Sequence, residues 1–165
     1  MTKSLQDRVV EYLQDAHAME QSSLQMLDSL ITSTKDPEIK VSFELHRHET
    51  ERQAERLRRR LEELGQSTSA LKDVGARASV LPKGLFDQIR GDQPGRNARD
   101  AYTTEHLEIA AYQLLERVAE RAADSRTAEI ARENRAEEEA MARRIDAAWD
   151  RVVELTLQEE GVTAK

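Results

Sequence analysis

Apolar residues return every three or four positions along four long stretches of this chain, the spacing of one face of an α-helix. The first stripe is Val9, Leu13, Ala16, Glu20, Leu24, Leu27, Ile31, and it predicts a helix over about 5–31. Ser4 with Asp7 three residues on forms a capping-box signal at its start. The second stripe is Ile39, Phe43, His46, Glu49, Gln53, Leu57, Leu61, Leu64, a helix over about 37–64. Asp36 is its N-cap, Pro37 its first helical residue and Gly65 its stop. The third stripe, Ala101, Glu105, Glu108, Tyr112, Leu115, Ala119, Ala122, gives a helix over about 98–123. The fourth, Ile130, Asn134, Glu137, Met141, Ile145, Ala148, Val152, Leu155, continues after a tight turn at Asp124-Ser125 and predicts one helix over about 127–158.

Between the second and third helices the periodicity stops. Residues 66–97 hold several Gly and Pro together with Val80, Leu81, Leu85, Phe86 and Ile89, a pattern expected of a long crossover carrying one short helix against the bundle. The halves on either side repeat with one offset. Glu20 pairs with Glu108 and Glu49 with Glu137, both 88 residues apart (108 − 20 and 137 − 49). Leu27 and Leu115, Ala54 and Ala142, Arg56 and Arg144, and Leu57 and Ile145 share that offset. Two duplicated helical hairpins joined by a long crossover make an all-α, ferritin-like four-helix bundle, a single domain over 1–165.

Composition agrees with long helices: 35% of residues are charged, and there are only 6 Gly and 3 Pro in 165. A net charge of −7 with no basic tail argues against nucleic-acid binding. No apolar run reaches membrane length and the N-terminus is not a signal peptide, so a soluble cytoplasmic protein is expected. The chain has no Cys, which rules out disulfides and thiolate metal ligands.

Every stripe turns polar near its middle. In a chain this rich in Glu any single glutamate belongs on the surface. Four interruptions at one height do not fit that reading. Helix 1 reads His17-Ala-Met-Glu20, helix 2 His46-Arg-His-Glu49, helix 3 Glu105-His-Leu-Glu108 and helix 4 Asn134-Arg-Ala-Glu137. Residues three apart share a helix face, so each pair can face one centre. Ionised carboxylates gathered in a core repel one another and must take up protons or bind cations. Two divalent ions balance four glutamates, and an oxygen- and imidazole-rich set suits iron, with manganese or zinc as alternatives. The candidate ligands are Glu20, Glu49, Glu108, Glu137, His46 and Glu105, with Gln53 and His17 as neighbours; Glu138 takes the place of Glu137 if the register shifts by one. The usual Glu-x-x-His of dimetal bundles is reversed here to His-x-x-Glu. His48 and His106 lie off the stripes and are expected at the surface, Tyr112 is expected to bond a carboxylate, and Met141 to pack.

On Asp15–Gln21 (DAHAMEQ), Phe43–Leu57 (FELHRHETERQAERL), Glu105–Tyr112 (EHLEIAAY) and Glu133–Ala140 (ENRAEEEA), the chain resembles the YciE/YciF-type ferritin-like stress-protein family over about residues 5–158. The resemblance implies a bacterial, stress-associated homodimer related to rubrerythrins and other di-iron bundles, with Glu20, Glu49, Glu108 and Glu137 as metal ligands. Gln53 stands where such sequences often carry His. Two function classes follow. One is a di-iron oxidase or peroxidase handling oxygen or peroxide. The other is a non-enzymatic stress or interaction protein with a metal-free polar core and an extra apolar line of Met19, Met26 and Leu30 on helix 1, suited to a dimer or crossover contact. An iron-storage cage fits less well, because the fifth helix of full ferritins is not evident.

Overall fold

In the computed structural model, which describes residues 3–66 and 93–162, the helices are α1 (Leu5–Ser33), α2 (Pro37–Glu63), α3 (Pro94–Arg121), α4 (Ser125–Ala147) and α5 (Trp149–Glu159). The start signals work as their chemistry requires. Ser4 Oγ accepts from Asp7 N–H at 3.1 Å, and Asp7 Oδ2 accepts from Ser4 N–H at 2.8 Å. Asp36 Oδ1 accepts from the amides of Glu38 and Ile39, both at 3.1 Å, so two of the donors stranded at the head of α2 are satisfied. The expected crossover over 66–97 falls largely on residues 67–92, outside the described residues, and α3 begins at Pro94 rather than near Ala98.

Cross-helix contacts give the directions. Arg47 reaches Asp28 while Gln14 meets Gln66, so α1 and α2 are antiparallel. Ser23 bonds Glu108 and Thr104 faces Met26, so α1 and α3 are antiparallel too. Arg60–Asp124 and Ser42–Met141 set α2 against α4, and Asn134–Tyr112 with Arg132–Glu116 set α3 against α4. The four long helices therefore form a square with antiparallel neighbours. The chain leaves α2 at one end and enters α3 at the other, the ferritin-like connectivity.

Two apolar clusters fill the square. One end holds Val9, Leu13, Leu57, Leu61, Leu115 and Ile130, and the other Met26, Leu30, Phe43, Met141 and Ile145. Met19, Met26 and Leu30 are thus inside the chain (1%, 2% and 0% exposed) and offer no exposed surface for a dimer contact. The buried face of α1 passes from Glu20 through Ser23 to Met26 and Leu30, leaving Leu24 and Ile31 half-buried. Seven residues of an ideal helix fall about 20° short of two full turns, so its inward face drifts along its length.

The fourth helix does not run unbroken to Gln158. It stops at Ala147; Ala148 N–H bonds Ile145 O at 3.0 Å, and α5 starts at Trp149. The break sets α5 across the head of α3. Trp149 meets Tyr102 edge-on at 5.9 Å, Val152 is buried, and Arg151 donates to Asp36 Oδ2 at 2.7 Å. The approach is close: a Cβ on Gly95 would lie 3.0 Å from Thr156 Oγ1.

The α3–α4 turn carries a local strain. Asp124 N–H bonds Ala119 O at 2.9 Å and Ala123 N–H bonds Glu120 O at 3.1 Å, the paired bonds of a left-handed helix stop. The residue in the left-handed position is Ala123, at φ 56°, whereas α2 ends the same way with Gly65 at φ 79°. Ala123→Gly is expected to stabilise the protein by about 1 kcal/mol, because a Cβ is penalised at that φ. Urea denaturation checks this, and a midpoint below wild type would refute it.

Candidate metal centre

Between the two apolar clusters lies one polar layer. Glu20, His46, Glu105, Glu108 and Glu138 are each at most 1% exposed, and Gln53, Tyr112, Asn134, Ser23 and Thr50 are buried with them. Each helix delivers its share by a turn's spacing: Glu20 and Ser23 from α1, His46, Thr50 and Gln53 from α2, Glu105, Glu108 and Tyr112 from α3, Asn134 and Glu138 from α4.

Imidazole is the hub. His46 Nε2 lies 3.3 Å from Glu105 Oε2 and 3.5 Å from Glu138 Oε2, and Nδ1 lies 3.3 Å from Glu49 Oε2. Burial lowers the His46 pKa, but the surrounding carboxylates of Glu105, Glu49 and Glu108 outweigh it and push it up to about 10. One ligand atom from each of His46, Glu105, Glu108 and Glu138 falls within 4.8 Å of the others, a group able to hold a metal ion.

Hydrogen bonds fix one oxygen of Glu20 and one of Glu108 and leave others bare. Tyr112 OH donates to Glu20 Oε1, and Ser23 Oγ donates to Glu108 Oε1. Glu20 Oε2, Glu105 Oε2 and both oxygens of Glu138 are buried with no hydrogen-bond partner, as are both polar atoms of Gln53. Burial raises the Glu20 pKa to about 8, and burial with neighbouring carboxylates raises those of Glu108 and Glu138 well above the usual range. Buried carboxylates with bare oxygens have two ways to be satisfied, a proton or a cation. The donor set of carboxylates and one imidazole, without sulfur, is that of a hard or borderline divalent ion.

The sequence-derived set maps onto this layer unevenly. Glu20, His46, Glu105 and Glu108 meet inside it. Glu49 stands at its rim, with its side chain 19% exposed, and its pKa falls to about 2 because His46 and Arg144 hydrogen-bond it. Glu137 does not join the layer. It accepts from Arg56 Nη1 and Nη2, both at 2.8 Å, on the α2–α4 seam, and Glu138 takes the interior position. The one-residue shift corrects the stripe of the fourth helix. His17 is half-buried beside Arg58 and Glu55 and outside the group of candidate ligands, while His48 and His106 are exposed as expected. Sequence reasoning did not single out Ser23, whose only signal was a small hydroxyl three residues from Glu20 on the inward face of α1.

A family model described as a domain of unknown function (DUF892) matches residues 4–158. Among solved structures, a protein from Xanthomonas campestris pv. campestris is 27% identical with a TM-score of 0.77, over 96% of this chain and 99% of that one. The stress protein YciF of E. coli is 22% identical with a TM-score of 0.74, over 93% and 99%. YcfI, a putative structural protein of Rhodopseudomonas palustris, is 23% identical with a TM-score of 0.67, over 87% and 94%. No described helix is long and apolar enough to cross a membrane.

Proposed function

The chain belongs to the family described as a domain of unknown function, DUF892, and from its buried carboxylate–imidazole layer we propose that it is a dimetal, iron-binding protein of the ferritin-like type that serves a stress response. One observation carries the reading: four carboxylates, Glu20, Glu105, Glu108 and Glu138, are at most 1% exposed, and three of them have bare oxygens. Two divalent ions would neutralise four such groups. A protein core does not retain four of them around a single imidazole without cost.

In this reading His46, Glu105, Glu108 and Glu138 hold the metal, with Glu20 and Glu49 completing the set. Bound iron would supply the electrons that oxygen or peroxide takes up. The chain's own residues do the rest. Tyr112 and Ser23 each hold one carboxylate oxygen, so the other oxygen of Glu20 and Glu108 is oriented without rotameric search. The apolar clusters on both sides keep bulk water from the layer, which strengthens every charge interaction in it. Glu49, at the rim, is the member placed to exchange with solvent. A cytoplasmic homodimer belongs to the same reading.

Elemental analysis after aerobic iron loading tests it. Wild type is expected to hold close to two irons per chain, Glu138→Gln to lose them, and Glu137→Gln to keep them. Sub-stoichiometric iron indifferent to Glu138→Gln would favour the second reading, a metal-free stress or interaction protein. That alternative draws on the raised pKa values of Glu20, Glu108 and Glu138 and on protonated His46, which together would satisfy the layer with protons alone.

A further inference from the structure

The glutamates of the 88-residue repeat are of two kinds. Glu20 and Glu108 lie inside, whereas Glu49 and Glu137 stand on the α2–α4 seam, each gripped by an arginine of the opposite helix. Arg144 Nη1 and Nη2 donate to Glu49 at 3.1 and 3.4 Å, and Arg56 donates to Glu137 at 2.8 Å twice. The two arginines share the repeat offset (144 − 56 = 88), so one cross-pair occurs twice.

What lies behind the two pairs differs. Behind Glu137, Asn134 accepts from Arg56 at 2.7 Å and donates to Tyr112 at 2.9 Å, a plug of hydrogen-bonded side chains. The matching position in the first hairpin is His46 (134 − 46 = 88). Its Nδ1 faces Glu49 at 3.3 Å and its Nε2 faces the bare oxygens of Glu105 and Glu138. Glu49 is also where the layer meets solvent, in an open groove lined by Leu45, Arg52, Arg56 and Arg144.

Resting on the dimetal reading above, we infer that Arg144 is a latch on the route by which metal ions enter and leave: it holds Glu49 across the mouth of the layer, and the ion passes when that pair opens. Arg144 is 42% exposed, so the pair is weak enough to open readily. While closed, it holds a ligand carboxylate between Arg144 and His46 at the mouth and keeps a positive charge in the ion's path. Arg144 is thus a positioning residue that sets rates more than affinity.

Stopped-flow uptake of Co²⁺ and its release to excess EDTA, followed by cobalt absorption, test this in wild type, Arg144→Gln, Arg144→Lys and Arg56→Gln. Arg144→Gln should bind as much cobalt as wild type, with uptake and release both faster by about tenfold. Arg144→Lys keeps the charge but loses the two-pronged grip, so it should fall between, and it carries the test if the glutamine variant does not fold. Rates of the Arg144 variants within twofold of wild type would overturn the latch. Equal acceleration by Arg56→Gln would overturn it too, since that means general loosening of the seam. Wild type that takes up no cobalt would sink the dimetal reading itself, and the latch with it.

Discussion

Metal-free protein is expected to lose stability steadily as pH rises from about 5 to about 8. Glu20 has a folded pKa of about 8 because burial disfavours its charge, against an ordinary value of 4.5. A group whose folded pKa is raised contributes its full stability below the unfolded pKa and loses it as pH climbs through the folded one. Glu108 and Glu138 are shifted in the same direction. His46 adds to the trend, since its pKa is raised from 6.5 to about 10 and its contribution fades across that window. Glu49 acts the other way, its pKa lowered to about 2, so its contribution disappears only as pH falls below about 4.5. Each proton retained by the folded state alone is worth about 1.4 kcal/mol per pH unit. Urea denaturation of EDTA-treated protein at pH 5, 6, 7 and 8 measures the slope. Glu138→Gln, which removes one of the confined charges, should flatten it and be more stable than wild type at pH 8. A wild-type stability that is flat or rises over this range would contradict the assignment of a confined, proton-hungry layer.

Saturating ferrous or manganous ion should reverse that weakness. A ligand at a thousand times its Kd stabilises the folded state by about 4 kcal/mol, which is roughly 8–16 °C in Tm for a chain of this size. The gain should be larger at pH 8 than at pH 6, because metal and proton compete for the same oxygens. Glu105→Gln and Glu138→Gln should lose most of it, and Glu137→Gln should keep it. Differential scanning calorimetry under anaerobic conditions decides the matter. An equal metal-induced rise in wild type and Glu138→Gln would place the binding on the acidic surface instead of in the core.

These experiments turn on distinctions that were not equally legible in the chain. Sequence by itself determined the four long helices, because caps such as Ser4 and Asp36-Pro37 and the three-and-four spacing of Leu13, Leu57, Leu115 and Ile130 are local chemistry that needs no partner to be read. It also determined that the core is interrupted at one level, since Glu20, His46, Glu105 and Glu108 fall on stripes that are apolar on either side. Tertiary structure alone decided between Glu137 and Glu138. Successive residues lie 100° apart on a helix, and an inward face is wider than that, so both fit the stripe. The choice came from across the interface, where Arg56 on α2 captures Glu137 and leaves Glu138 inside. The end of α4 at Ala147 was decided in the same way. The stripe runs on through Val152, but contacts with Tyr102 and Asp36, far away in sequence, draw the last helix aside. Periodicity reports which face of a helix is buried, and only the neighbouring helices determine what each residue at the edge of that face will meet.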